Sequence, residues 1–326
     1  SYNYCLDQFT LLANGELLFM STTLYFAKLN LASEEIYKIY KDPQKRIELK
    51  LALSESLRQE CHWDKESFFI GDDGIPVSQK VEYQLRTLSI DEDMSYAEGW
   101  LYKKSILRYN SLLEETKELV PKGVENTEVI RFYFDLDHEL IGYNTTNRFG
   151  YKEFLEAFVH VINLGLDDFE PEMYFTISLC SKGIGLDDIK EALGEIGKIK
   201  ELQFIIQPPN PAQELLNHLQ ELGEGRLENM DQANVTRMDV TFQSTGESGL
   251  NLDSTLIDEE LNKLQGIHQA LSPEEANKNG YIKVTAVSKT GRKFSSEEAK
   301  PFKKVINDLL GDFKDACKDA FTELLS

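Results

Sequence analysis

The run Asp135-Leu136-Asp137-His138-Glu139 contains the residues whose types and spacing best suit catalysis. Because side chains alternate along a strand, Asp135 and Asp137 are expected on the same side of the chain. Two carboxylates presented in this way can bind Mg²⁺, and His138 can act as a base or as a further ligand. This pattern indicates a metal-dependent nuclease or phosphoryl-transfer site. A polar hairpin turn, in which Asp and His are common, explains the same residues without chemistry.

Signatures of several other enzyme classes are missing from the sequence. Gly183-Ile184-Gly185 precedes a predicted helix but lacks the Lys-Ser/Thr pair of a nucleotide-binding phosphate loop. Neither a Gly-x-Ser-x-Gly nucleophile elbow nor a His-Glu-x-x-His zinc helix occurs. The four cysteines are far apart in the sequence and form no Cys-x-x-Cys pair, so we expect reduced thiols and no zinc site. We therefore expect no cofactor, with Mg²⁺ needed only if Asp135 and Asp137 are catalytic.

Two segments place cations where an anionic group can bind. Arg148 lies just before a predicted helix, whose amino terminus favours anions. Lys289, Arg292 and Lys293 lie on a predicted hairpin tip. These four residues are candidate contacts for a phosphate or an acidic partner, and a solvated turn is the alternative explanation for the hairpin tip.

The net charge limits the classes of partner. The chain carries 35 Lys and Arg against 56 Asp and Glu, a formal net charge of -21. A partner bound through phosphates needs a cationic face, so we expect no general binding of nucleic acid or of an anionic membrane. Residues 214–260 hold 11 acidic and 2 basic residues, whereas residues 261–326 hold 9 acidic and 11 basic ones. Local contact with nucleic acid therefore remains conceivable only near the end of the chain.

Length and composition predict a folded chain of about two domains. The chain has 326 residues, of which 41% are hydrophobic. We expect residues 1–19 to be an amino-terminal extension, or alternatively a hairpin around Gly15. Residues 20–126 are predicted to form an α+β region and residues 127–213 a central α+β domain. Residues 214–326 are predicted to be a strand-helix region that can share the central sheet.

The central region predicts an α+β fold with a mixed sheet and a ferredoxin-like β-β-α-β-α-β order. Hydrophobic periodicity places these six elements at Val129–Phe134, Leu140–Thr145, Tyr151–Ile162, Met173–Leu179, Leu186–Ile196 and Leu202–Ile206. Before them, Ile47–Leu57 fits either a strand or a helix, and Leu119–Asn126, with its proline and glycine, is predicted to be a connection.

The end of the chain predicts a long helix from Pro301, with an apolar stripe that includes Phe302, Val305, Ile306 and Phe313. The stripe can be buried in the core, or it can join two copies of the chain, so residues 301–326 are the expected site of homo-oligomerisation. No apolar run reaches the roughly 20 residues that span a bilayer. We therefore expect a cytoplasmic protein without membrane insertion.

Five segments carry a resemblance to bacterial families of unknown function. They are Phe132-Tyr133-Phe134-Asp135, Asn147-Arg148-Phe149-Gly150, Ile206-Gln207-Pro208-Pro209-Asn210-Pro211, Gly280-Tyr281-Ile282-Lys283-Val284 and Lys289-Thr290-Gly291-Arg292-Lys293. Such families look like components of mobile-island or phage-defence loci. The resemblance covers roughly residues 97–293 and implies a cellular setting without transferring a catalytic residue.

Three functions are compatible with the sequence. The favoured one is a non-enzymatic interaction or sensor component of a bacterial defence-like, antiphage system, which binds a protein partner through its acidic faces. The second is a metal-dependent nuclease or phosphoryl-transfer enzyme that uses Asp135 and Asp137. The third is an acidic mimic of nucleic acid that occupies a DNA-binding protein.

Overall fold

The chain folds as an α+β protein with one large and one small antiparallel sheet. The computed structural model describes residues 9–11, 17–19, 21–59, 61–70, 76–112, 119–211, 226–265, 273–307 and 311–325. Within these residues, no helix has the length and hydrophobicity needed to cross a membrane.

Fourteen strands are described. They are β1 Phe9–Leu11, β2 Leu17–Phe19, β3 Thr22–Leu31, β4 His62–Ile70, β5 Pro76–Ile90, β6 Tyr96–Leu112, β7 Leu119–Asp135, β8 Leu140–Asn144, β9 Phe175–Leu179, β10 Ile199–Ile206, β11 Met238–Gln243, β12 Ile282–Ser288, β13 Lys293–Ser295 and β14 Lys303–Ile306. The pairing of β1 with β2 corresponds to the hairpin alternative for the first residues, whose turn lies outside the described residues.

Nine α-helices are described, together with one 3₁₀ turn at Pro43–Lys45. The helices are α1 Glu35–Lys41, α2 Arg46–Arg58, α3 Tyr151–Leu164, α4 Leu186–Glu195, α5 Arg226–Gln232, α6 Thr255–Gln265, α7 Pro273–Lys278, α8 Ser296–Ala299 and α9 Phe313–Leu325.

The large sheet has the strand order β14-β3-β8-β7-β6-β5-β4, with β9 also paired to β3. Strands β4 to β8 form a meander, and β3 closes the sheet beside β8. Strands β9 and β14 lie end to end along the other edge of β3. The Phe302 N–H donates to the Cys180 carbonyl at 2.9 Å where these two strands meet.

Helices cover the two faces of the large sheet unequally. We call the face that packs against α1, α2 and α3 the inner face, and the one that packs against α9 the outer face. Strand alternation decides which side chain lies on which face: Phe132 and Phe134 join the inner core, whereas Tyr133 joins the outer one. Apolar side chains of α9, from Phe313 to Leu324, are buried on the outer face.

The small sheet has the order β11-β10-β12-β13. Its core joins strand residues such as Phe204 and Val284 to helix residues such as Ile189 and Leu261. The predicted hairpin tip at residues 289–292 is confirmed, because it connects the paired strands β12 and β13.

The α+β class is confirmed. The predicted mixed sheet is wrong, because the described strand pairs are all antiparallel, and the ferredoxin-like centre is not confirmed. Its first four elements correspond to β7, β8, α3 and β9 of the large sheet, whereas α4 and β10 belong to the small sheet. The separation arises from long-range pairing, since β9 pairs with β3 and β10 pairs with β11 and β12. The predicted boundary at residues 126–127 lies inside β7.

The structure decides one local alternative and corrects two local predictions. Ile47–Leu57 is helical, because Leu49, Leu53 and Leu57 are buried at helical spacing while Ile47 is 60% exposed. Leu119–Asn126 is part of β7 and not a connection, because β6 pairs with it throughout. The long helix from Pro301 is not confirmed: residues 303–306 form β14 along the edge of β3, and the helix begins only at Phe313.

Candidate functional site

The turn after β7 is organised by the buried carboxylate of Asp135, which is 2% exposed. Its Oδ1 accepts the backbone N–H groups of Asp137 at 2.9 Å and His138 at 3.1 Å. Its Oδ2 lies 2.9 Å from Nδ1 of His138. This hydrogen bond raises the pKa of His138, because a protonated imidazole pairs better with the carboxylate. Asp135 therefore stabilises the turn through three contacts.

Asp137 has different partners. Its Oδ1 accepts from Nζ of Lys50 in α2 at 2.8 Å, and Arg46 donates to its backbone carbonyl. Burial alone would raise the pKa of Asp137, but hydrogen bonds from Lys50 and Ser95 outweigh burial and lower it. The expectation that Asp135 and Asp137 lie on the same side treats both as strand residues. In the structure β7 ends at Asp135, so the two-residue period of a strand does not extend to Asp137.

The structure does not present Asp135 and Asp137 as a pair of open ligands. The carboxylate of Asp135 accepts hydrogen bonds from the turn, and the carboxylate of Asp137 accepts one from Lys50. Within the described ranges, no group of three or more His, Cys, Asp or Glu side chains is arranged to hold a metal ion. The local chemistry of these residues is thus that of a stabilised turn facing α2.

Next to this turn lies a buried charged junction that the sequence analysis missed. Glu139 is 2% exposed, and its Oε2 accepts from Nδ2 of Asn210 at 3.0 Å and lies 3.9 Å from Nζ of Lys28. Burial raises the pKa of Glu139. Burial lowers the pKa of Lys28, but the neighbouring Tyr281 and Glu139 outweigh it, so that its pKa is raised. The ammonium of Lys28 also donates to the carbonyl of His138 at 2.8 Å.

The junction continues where the small sheet meets β3 and β9. Nδ2 of Asn30 donates to Oγ of Ser178 at 3.3 Å, and Ser178 donates to the carbonyl of Gly280 at 3.5 Å. Gly280 has φ of 74°, and a Cβ placed on it would lie 2.1 Å from Cβ of Ser178. The two features of the sequence that could have indicated this contact are the Pro-Pro-Asn-Pro run and the Gly-Tyr pair at residues 280–281.

The four candidate cations are divided between the two sheets. Arg148 is 57% exposed, with Nη1 3.9 Å from Oε1 of Glu128 in β7. Lys289 donates to the carbonyls of Thr245, at 3.4 Å, and Gly246, so it braces a neighbouring loop. Arg292 and Lys293 are exposed at the hairpin tip of the small sheet. All three cations of the tip are exposed to solvent, and Lys289 differs from the other two in its hydrogen bonds to the neighbouring loop.

A second surface that sequence reasoning missed lies on the outer face beside α9. We call it the outer patch and define it by Arg86, Trp100, Tyr102, Ile106 and Val129. Trp100 pairs across strands with Arg86 on one side and Arg131 on the other, and Tyr102 pairs with Val129. The Trp100 and Tyr102 ring centroids are 6.1 Å apart in an edge-to-face arrangement. The guanidinium of Arg131 lies 4.7 Å from the ring centroid of Phe313, which places this row on the side of α9.

The outer patch is open to solvent. Ile106 is 45% exposed and Val129 is 36% exposed, while Trp100 and Tyr102 are half-buried. Leu88, the unpaired residue of a β-bulge beside the patch, is 47% exposed. Trp100, Tyr102 and Val129 thus form an exposed apolar cluster beside Arg86, and the ion pair of Lys104 with Glu82 separates this cluster from Ile106 on the same face.

Two of the cations around the outer patch are already paired with carboxylates. Nζ of Lys104 lies 2.6 Å from Oε1 of Glu82, and Nε of Arg131 donates to Oε1 of Glu98 at 3.0 Å. Arg86, which is exposed, forms no ion pair with any residue that the structure describes. The patch therefore combines an apolar centre with two ion pairs beside it and with the guanidinium of Arg86, which is unpaired among the described residues.

Comparison with known families gives one match. The family described as Domain of unknown function (DUF4747) matches residues 103–325, which is more than half of the chain. The chain belongs to the DUF4747 family. No curated protein matches it. The expected relation to a family of unknown function is thereby confirmed, while the link to mobile-island or phage-defence loci stays a prediction. The matched region includes Asp135, the buried junction's Glu139 and Asn210, and α9, but begins after Arg86 and Trp100.

Proposed function

We propose that this DUF4747 protein is a non-enzymatic interaction component that binds a protein partner through the outer patch. The observation that carries the proposal is Trp100, half-exposed on an open sheet face between Arg86 and Arg131. Trp, Tyr and Arg are the residue types enriched among those that contribute most to protein–protein affinity. Exposed apolar clusters of this kind are typical of interaction surfaces.

The charges of the outer patch favour a protein over nucleic acid. A nucleic-acid surface needs several available cations to replace the counterions of phosphates. Here Lys104 and Arg131 are paired with carboxylates, and the whole chain carries a charge of -21. An apolar centre with a polar, ion-paired rim is the usual composition of a protein interface.

The contacts of Asp135 and Asp137 support an interaction role over catalysis. Both carboxylates have protein partners that account for their positions, so the turn is explained by folding alone. The metal-dependent enzyme and the nucleic-acid mimic remain the alternative hypotheses. The resemblance to families of phage-defence loci supplies the setting of the proposal, in which the chain acts as a sensor or adaptor of an antiphage system.

The proposal is tested by comparing proteins that co-purify with the full chain and with two variants. Trp100→Ala removes the centre of the outer patch. Tyr174→Ala is a matched control, because Tyr174 is an aromatic residue that is 54% exposed outside the patch. We expect a partner to be retained by the wild type and the control and lost by Trp100→Ala.

Once the partner is purified, its dissociation constant gives the quantitative result. We expect Trp100→Ala to raise the constant about 30-fold, as loss of a central aromatic contact does in other interfaces. Circular dichroism and the melting temperature check that the variant is folded. A partner that binds the folded Trp100→Ala protein with unchanged affinity contradicts the proposal.

A further inference from the structure

We infer that the element recognised by the outer patch is an amphipathic α-helix of the partner with acidic residues along one flank. This inference rests on the proposed function and specifies the chemistry of its partner. It follows from the width of the open face, from the spacing of the exposed side chains and from the charges around them.

The open part of the outer face has room for a helix. Helix α9 contacts β7 and β14 on this face, so it lies over one side of the sheet. The exposed residues belong to β5, β6 and β7, from Arg86 through Trp100 to Val129. Neighbouring strands are about 4.8 Å apart, and a helix with its side chains is about 10 Å across. One further helix therefore fits beside α9.

The opposite face shows how these strands accept helices. On the inner face, α2 contacts β5, and α3 contacts both β4 and β5. The outer face of the same strands has α9 at one side only, among the residues that the structure describes. A partner helix would complete the outer layer in the manner that α2 and α3 complete the inner one.

The spacing of the apolar residues along β6 also suits a helix. Trp100 and Tyr102 are two residues apart on one face, a separation of about 7 Å, and a helix advances about 6 Å over four residues. Successive turns of an apolar stripe can therefore contact Trp100 and Tyr102, and a later turn can contact Ile106 beyond Lys104, which is ion-paired with Glu82. Helices with apolar residues at such intervals are a common mode of recognition by grooves.

The charges next to the open face predict the polar flank of that helix. Arg86 belongs to the patch, and Lys314 and Lys318 of α9 lie on the same face beyond its Trp100 end, over Tyr133 and Tyr96. Nζ of Lys314 lies 5.5 Å from the ring centroid of Tyr133, and Nζ of Lys318 lies 5.6 Å from that of Tyr96. None of the three cations forms an ion pair with a described residue.

The acidic groups of this face near Trp100 are already engaged, whereas Glu125, opposite Ile106, is exposed and forms no ion pair with a described residue. Glu98 accepts from Arg131 at 3.0 Å, and Asp91 accepts the backbone N–H of Tyr96 at 2.8 Å. Near Trp100, Arg86 and Lys314 thus form no described ion pair while Glu98 is already paired with Arg131, although the chain as a whole is strongly acidic. Carboxylates of the partner can pair with these cations at the edge of the interface.

The test uses two synthetic, fluorescently labelled peptides of about five helical turns, stapled to be helical. They share one stripe of Leu and Phe and differ only in flanking residues, Glu in one and Lys in the other. Binding to the full chain is measured by fluorescence anisotropy at low salt. We expect the Glu peptide to bind at least tenfold more tightly than the Lys peptide, opposite to the order that the net charge of -21 would give.

Variants then locate the binding. Trp100→Ala should remove peptide binding, and Arg86→Ala together with Lys314→Ala should reduce the preference for Glu about tenfold. Lys41→Ala is the matched control, since Lys41 is a 67% exposed lysine paired with Asp231 away from the patch. Peptides that bind equally well, or that bind the Trp100→Ala protein unchanged, overturn the inference.

Three further outcomes distinguish failure of this inference from failure of the proposed function. If Trp100→Ala weakens the natural partner while neither peptide binds, the proposed function stands and the helix is wrong. If sedimentation velocity of the chain alone gives a dimer that Trp100→Ala dissociates, the occupant is a second copy and the inference is likewise overturned. If Trp100→Ala changes neither partner nor peptide binding, both proposals fail.

Discussion

The side-chain amide of Asn210 pairs with the backbone on both sides of residue 30, and its Oδ1 accepts the N–H of Leu31 at 3.0 Å. Its Nδ2 donates to the carbonyl of Leu29 at 2.7 Å. The ladder between β3 and β8 ends at Lys28, so Asn210 takes the place of a neighbouring strand along the last residues of β3. The segment that follows the small-sheet strand β10 is thereby tied to the large sheet.

Asn210→Ala should lower the free energy of unfolding by about 3 kcal/mol, because it leaves buried backbone groups of β3 without a partner and removes the hydrogen-bond donor of the Glu139 carboxylate, whose described ion pair with Lys28 remains. Urea denaturation measures the change. Asn279→Ala is the control, since Asn279 makes one exposed hydrogen bond to the carbonyl of Glu275, and it should cost about 0.5 kcal/mol or less. Equal effects of both substitutions would contradict the bridging role.

Gly280→Ala should destabilise the chain by about 3 kcal/mol, because the new Cβ would meet Cβ of Ser178 in addition to the strain of a positive φ. Gly291→Ala provides a matched comparison. Gly291 also has a positive φ, of 85°, but a Cβ added there would have nothing within 4 Å, so only about 1 kcal/mol of backbone strain is expected. Thermal unfolding should separate the two variants, and similar melting temperatures would show that β9 and β12 can move apart freely.

Asp135→Ala and Asp137→Ala should have unequal effects. Loss of Asp135 removes three contacts in the turn and should cost about 3 kcal/mol, whereas loss of the partly exposed Asp137 should cost about 1 kcal/mol or less. Urea denaturation gives the stabilities, and calorimetric titration with Mg²⁺ gives any metal binding. Tight Mg²⁺ binding that both substitutions abolish would favour the metal-dependent enzyme.

The pair between Asp135 and His138 should make stability depend on pH. Its hydrogen bond raises the pKa of His138 above the ordinary value of 6.5, so the folded chain binds this proton more tightly than the unfolded chain does. The resulting stabilisation is complete below pH 6.5 and is lost as the pH rises through the folded-state pKa. The stability difference between wild type and His138→Gln should therefore be larger at about pH 5.5 than at about pH 8.5. Urea denaturation at both values measures it, and a difference independent of pH would refute the charged pair.

The sequence determined the local elements whose apolar periodicity was unambiguous. The strand alternation of β12 and the helical stripe of α3 are expressed in residues near one another in the chain, so they could be recognised without the fold. The α+β class follows from these elements. The hairpin tip at residues 289–292 could be predicted for the same reason, since its turn residues are contiguous.

Only the tertiary structure decided how these elements combine. Residues 303–306 became a strand because the edge of β3 was available to them, and β10 joined another sheet because its partners come from the last third of the chain. The junction of Lys28, Glu139 and Asn210 and the row of Arg86, Trp100 and Arg131 unite residues from distant positions. Periodicity records which side of an element is apolar, whereas pairing between strands depends on contacts that no local pattern encodes.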